Sequence, residues 1–249
     1  MKSLGKAWMA GMTLSLNMAT ADAALFDRGG GLIYDDALNV TWLQDANYAK
    51  TSGYDADGLM TWQSAKTWAE NLVFHDSVRN VDYSDWRLPG VSPVNGISFN
   101  YDLSNDGSTD RGYNITSSQH ELAYMYSVNL GLKSQFNASG VAQSDYGIFG
   151  NGTWNGFNQN SWGQNNIGLI NNLQAYAYWS GGEWAPNSGN AWDFATFVGY
   201  QSASPFFAQE YVWAVRDGDV TAVPLPGAMW LMGAGLIGLS SLKRRLKAA

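Results

Sequence analysis

Apolar residues in the first third of the chain switch between two periodicities. Over 32–43 they form two short runs split by Asp35, Asp36, Ala37, Leu38 and Asn39, a break that predicts a β-hairpin. After a polar stretch to Gly58, Trp62, Ala65, Trp68, Ala69 and Leu72 recur at helical spacing behind Thr61, a good N-cap residue. This predicts an amphipathic helix over 61–74 with both tryptophans packed inward. Ser118 and Glu121 stand in S-x-x-E order before Leu122, Met125, Tyr126 and Leu130, which predicts a second helix, opened by a capping box and ended by Gly131. Apolar runs at 176–179, 191–198 and 211–215 are bounded by Gly, Pro or Asn and predict strands. In the last of them Tyr211, Trp213 and Val215 alternate with Val212, Ala214 and Arg216. Two helices and several short strands that do not alternate as βαβ units predict an α+β domain with mostly antiparallel strands.

The two ends carry a different pattern. Lys2 and Lys6 precede an uncharged stretch, 7–20, that closes on Ala21, Asp22 and Ala23, the order of a secretory signal peptide cleaved after Ala23. No charge occurs between Asp219 and Lys243, and 224–242 offers 19 mostly apolar residues, within the ~17–25 that cross a bilayer as a helix. Lys243, Arg244, Arg245 and Lys247 follow and orient that end toward the cytoplasm. Gly227, Gly233, Gly235 and Gly238 weaken the span as a permanent anchor. Between the ends, 24–222 has the length of one domain.

Within 24–222 there are 20 Asp plus Glu against 8 Lys plus Arg, a net charge of about −12 once the ends are removed. Such a surface repels nucleic acid and anionic polysaccharide. The chain has no cysteine, so an exported domain must be stabilised by its core alone. Twelve Trp, thirteen Tyr and ten Phe provide that core and leave aromatic surface over.

Candidate chemistry follows from that surplus. Trp154, Asn155, Asn158 and Trp162, with Asn165 and Asn166 close behind, place flat rings among amide side chains. Rings stack on the C–H face of a sugar while amides take its hydroxyls. Trp179, Glu183, Trp184 and Trp192 extend the same glycan-binding set, and Glu183 is the one acid to weigh as catalytic. Asp102, Asn105, Asp106 and Asp110 gather oxygen-bearing side chains around Gly107 and are calcium candidates, although their spacing misses the D-x-[DN]-x-[DN]-G pattern. His75 and His120, both on helix-like segments, have no cysteine partners for zinc. No G-x-S-x-G, P-loop or G-x-G-x-x-G motif is present.

The tail VPLPGAMWLMGAGLIGLSSLKRR, opening on Val223, Pro224, Leu225 and Pro226, resembles a PEP-CTERM sorting signal of the VPLP type. That resemblance implies recognition by an exosortase and its secretion machinery, membrane contact through the tail before processing, and display on the envelope or in the matrix of a Gram-negative bacterium that exports exopolysaccharide. The body resembles the Lcl C-terminal domain family, carried by LNVTWLQDANYA, MTWQSAKTWAENL, DWRLPG, HELAYMY, YWSGGEWAP, AWDFATFVGYQ and YVWAVRDGD in that order. The WRLP segment is also similar to the RLP motif of formylglycine-generating-enzyme domains, which implies a C-type-lectin-like fold. Oxidase chemistry of that kind needs cysteines, which this chain lacks.

The expectation is therefore a signal peptide at 1–23, one C-type-lectin-like α+β domain over 24–222 and an apolar sorting helix within 223–249. Its role is expected to be non-enzymatic binding of a neutral glycan, exopolysaccharide among the partners, with no nucleic acid and no certain cofactor beyond the calcium candidates. A structural or protein-interaction module of the matrix and a polysaccharide-modifying enzyme stand as alternatives.

Overall fold

Asp35 shows how the first hairpin closes. The computed structural model of the protein describes residues 24–150 and 165–220. In it the Asp35 carboxylate is wholly buried and accepts the N–H groups of Ala37 and Leu38, both at 3.1 Å, while Asn39 turns the chain with φ at +52°. The flanking runs pair as β2 (Leu32–Asp35) and β3 (Val40–Leu43), as their pattern predicts, and β1 (Leu25–Gly29) adds to β2.

The chain continues through a one-turn helix α1 (Tyr48–Thr51), β4 (Leu59–Met60), α2 (Trp62–Asn71), the hairpin of β5 (Phe74–Asp76) and β6 (Val81–Tyr83), β7 (Leu103–Ser104) and β8 (Arg111–Tyr113). Then come α3 (Glu121–Tyr124) with a π-helical turn (Met125–Asn129), the ribbon of β9 (Asn165–Ile167) and β10 (Ile170–Leu173), and β11 (Ala177–Glu183). Last are β12 (Asn190–Ala195), β13 (Tyr200–Pro205), β14 (Glu210–Tyr211) and β15 (Val215–Asp217). Two sheets organise these strands: a four-stranded one, β1-β2-β3-β15, and a seven-stranded one, β4-β14-β11-β12-β13-β8-β7.

α2 forms where its spacing predicts. Thr61 caps it by accepting the Ser64 N–H, and Trp62, Ala65, Trp68 and Ala69 make its buried face. Its first residue reaches the large sheet, the Trp62 indole N–H donating to Ser180 O at 2.8 Å. Trp179 braces in the other direction by donating to Met60 O at 2.8 Å, and Trp213 donates to Leu43 O at 2.7 Å, tying the two sheets together. Each of these three tryptophans thus buries a large ring and satisfies its one donor on a neighbouring strand.

The fold is nevertheless β-dominated, not the helix-and-strand C-type-lectin arrangement expected, because the second helix scarcely forms. His120, not Ser118, occupies the N-cap of α3, and the Glu121 carboxylate does not reach back to a capping box. It is taken by Arg87, whose guanidinium donates to both its oxygens at 2.8 Å, and by the Gly90 N–H at 2.5 Å. The helix runs one turn, widens into the π-helical turn and stops at Gly131, whose φ is +60°. The alternation expected over 211–215 also fails. Tyr211, Val212, Trp213, Ala214 and Val215 are all buried, because this stretch crosses from β14 in the large sheet to β15 in the small one and is covered on both sides.

The DWRLPG segment works as a clamp. Arg87 exchanges backbone hydrogen bonds with Val215, its side chain adds Asp217 at 2.6 Å to the Glu121 pair, and Arg216 meets Asp85 through two contacts of 2.8 Å. Burial works against the charge on Arg87, but Glu121 and Asp217 outweigh it and raise its pKa. Among the described residues no helix is long and apolar enough to cross a membrane. The signal peptide and the apolar sorting helix expected at the two ends lie outside the described residues.

Candidate functional site

Seven of the eight tryptophans in the described residues are buried, and the remaining one, Trp184, is half-exposed where β11 turns toward β12. Its backbone holds that turn: Trp184 N–H donates to Asn190 O at 2.8 Å, and Asn187 N–H donates back to Trp184 O at 3.1 Å. Behind it stands Trp192, ring centres 4.4 Å apart at 75°, and Tyr101 meets Trp184 edge-on at 4.8 Å. Phe99 completes the group 5.5 Å from Trp192.

Tyr101 and Phe99 arrive from the polar loop between Val94 and β7, and Asp110 is what shapes that loop. The Asp110 carboxylate, 1% exposed, accepts the N–H groups of Val94 and Asn100, both at 2.6 Å. His120 meets it at 2.9 Å and lies edge-on against Trp192 at 5.9 Å, so the loop, the imidazole and the aromatic group form one packed unit.

Beside Trp184 opens a cleft of about 220 Å³ lined by Arg111, Asn190, Ser202 and Ala203. Arg111 is fixed by the Tyr200 hydroxyl, which accepts from its Nε at 3.1 Å. Its strand is held rigidly: Gly112 lies so close to Ser104 that a Cβ there would stand 1.9 Å from the Ser104 carbonyl oxygen. A larger cleft of about 380 Å³ lies between Lys66, Glu70, Arg87 and the glycines 90, 181 and 182. It has no aromatic wall, Lys66 sits over the Trp62 ring, and Arg87 is already paired, so it offers less to a sugar.

The sequence candidates therefore divide. Trp184 lines the cleft and Glu183 is exposed but is not among the lining residues, while Trp192 packs behind Trp184 and Trp179 belongs to the core with its N–H spent on Met60. Trp154, Asn155, Asn158 and Trp162 lie outside the described residues, as do Val223, Pro224, Leu225 and Pro226. The calcium candidates do not make one ligand set. Asp110 is filled by protein donors, Asp106 turns to the Ser108 N–H and hydroxyl, Asp102 is exposed, and Asn105 accepts at its backbone from Asn114. Among the described residues no three His, Cys, Asp or Glu converge as for a metal ion. His75 lies on β5, not on a helix, and pairs with Asp82 at 2.6 Å.

Arg111, Tyr101 and Phe99 were not singled out by sequence reasoning. The loop around Phe99 and Tyr101 reads as polar, and nothing local to Arg111 tells that β7 and β13 will flank it.

A second group lies deeper. Asp193 and Glu210 are each 3% exposed, and the charge of Asp193 acts on Glu210. Burial pushes the Asp193 carboxyl up to about 7, and burial reinforced by the charge of Asp193 raises Glu210 well above the usual range. A catalytic carboxylate pair has to reach its substrate, and these two are sealed.

Residues 222–245 match the PEP-CTERM protein-sorting motif. No curated protein and no solved structure matches the chain. The tail is thus a sorting signal, and the protein is an exported surface protein sorted by an exosortase.

Proposed function

We propose that the exported domain binds a glycan at the Trp184 cleft and leaves it chemically unchanged. The observation that carries this reading is the placement of Trp184, the one described tryptophan that is not buried, at the mouth of a cleft with Arg111, Asn190 and Ser202. Its ring offers a stacking face, and these three side chains offer donors and acceptors for hydroxyls. Kinship with the Lcl C-terminal domain family, and display in the envelope or matrix of a Gram-negative bacterium beside its own exopolysaccharide, belong to the same reading. So does a non-enzymatic role, which the sealing of Asp193 and Glu210 supports.

The test is binding of the purified protein to a broad glycan array, with Trp184→Ala alongside. Loss of at least tenfold in affinity is expected, about 1.4 kcal/mol, with an unchanged circular dichroism spectrum. Absence of binding to every glycan, or full binding by Trp184→Ala, overturns the reading.

A further inference from the structure

The charge in the cleft runs against the charge of the chain. Of the five arginines in the described residues, Arg28, Arg79, Arg87 and Arg216 each pair with a carboxylate at 2.6 to 2.8 Å. Among the described residues Arg111 has no such partner: Tyr200 takes its Nε, and its two terminal nitrogens meet no protein acceptor. In a domain with 20 acidic side chains, an arginine left without one, half-buried and aimed by a tyrosine, is an exception that a ligand explains.

We propose that Arg111 receives a carboxylate of the ligand, so that the glycan is an acidic one containing uronic-acid residues. This rests on the reading of the cleft as a glycan site. The guanidinium fork matches a planar carboxylate through two parallel hydrogen bonds. Nε is already engaged by Tyr200, so the pair forms at the terminal nitrogens. Trp184 at the same cleft stacks on the pyranose ring that carries the acid. The overall charge near −12 does not forbid this. Exposed charges farther off than about 8 Å are screened at physiological ionic strength, whereas the pair at Arg111 is in contact. The neutral ligand expected from net charge alone is replaced by one chosen by the local cation.

The test compares three sets of trisaccharide probes in calorimetry with the full purified protein: gluco-, galacto- and mannuronate trisaccharides, the same sugars with each carboxyl reduced to an alcohol, and sulfated neutral counterparts. At least one uronate is expected to bind tenfold or more above its reduced form. Arg111→Gln lowers affinity for the uronate far more than for the reduced sugar and so removes that difference, and Arg111→Lys restores part of it. Trp184→Ala weakens both forms alike. Equal binding of uronate and reduced sugar, preference for the sulfated set, or an acid preference that survives Arg111→Gln overturns the assignment of Arg111 but leaves the glycan site standing. Binding of none of the probes overturns both.

Discussion

Nε2 of His120 and a carboxylate oxygen of Asp110 stand 2.9 Å apart in a place closed to solvent, His120 being 0% and Asp110 1% exposed. A carboxylate only accepts, so the imidazole presents Nε2–H to it. Asp110 also receives two loop amides, and through it the ring of His120 dictates where Tyr101 lies.

Asp110→Asn keeps the shape but removes the charge and turns one accepting atom into a donor. Stability is expected to fall by about 2–4 kcal/mol, as for a broken buried charged hydrogen-bond network. Amide exchange at Val94 and Asn100 is expected to speed up first. Denaturant titration and hydrogen exchange measure both, and unchanged protection at those two amides would show that Asp110 does not anchor the loop.

The Arg87 clamp gives a second expectation. Arg87 is about one-third exposed and Glu121 less so, at 35% and 12% for the side chains, so solvent weakens the pair but does not cancel it. Glu121→Ala is expected to cost about 2–3 kcal/mol, since it strands the Gly90 N–H as well as the guanidinium. A double-mutant cycle with Arg87→Met is expected to show coupling above about 1 kcal/mol. Additive losses would mean that the two residues act separately.

Glu121 also marks the limit of what the sequence makes legible. The hairpin over 32–43 and the helix behind Thr61 are local, each set by a periodicity and a turn or cap within a few residues. The motif S-x-x-E at 118–121 is equally local, yet it is overridden by Arg87, 34 residues away, and no pattern near Ser118 carries that information. The same holds for the cleft. Trp184 was recognisable as a ring beside an acid, but its exposure, and the burial of Trp179 five residues earlier, depend on which strands flank β11. Asp102, Asn105, Asp106 and Asp110 read as one oxygen-rich loop, and only the fold assigns Asp110 to His120 and the loop amides.

Asp193 sets a pH dependence. A carboxyl whose pKa rises on folding binds its proton more tightly in the folded state. Its contribution is complete below its ordinary value, 3.8, and is lost as pH rises through about 7. Glu210, also raised, acts in the same direction, whereas His120, lowered by burial against the pull of Asp110, contributes above about 6.5 and loses that as pH falls. His120 is common to both proteins when wild type is compared with Asp193→Asn. The variant is therefore expected to gain roughly 1–3 kcal/mol over wild type at pH 8 and little at pH 4. Thermal melts across that range measure the difference, and a gap that does not grow with pH would refute the buried carboxyl as its source.

Trp179 and Trp184 lie on one strand and its turn, and comparing them separates core from site. Trp179 is wholly buried and its N–H bonds to Met60 O, so Trp179→Ala leaves a large cavity and an unpaired carbonyl. That substitution is expected to cost about 3–5 kcal/mol and to abolish a cooperative melt near physiological temperature. Trp184 keeps one side in solvent and loses only its edge contacts with Tyr101 and Trp192, so Trp184→Ala is expected to cost about 1–2 kcal/mol of stability. Its effect on glycan affinity is expected to exceed its effect on stability, whereas for Trp179 the order is reversed. If Trp184→Ala destabilises the protein as much as Trp179→Ala does, the ring is part of the core and the cleft beside it loses its stacking face.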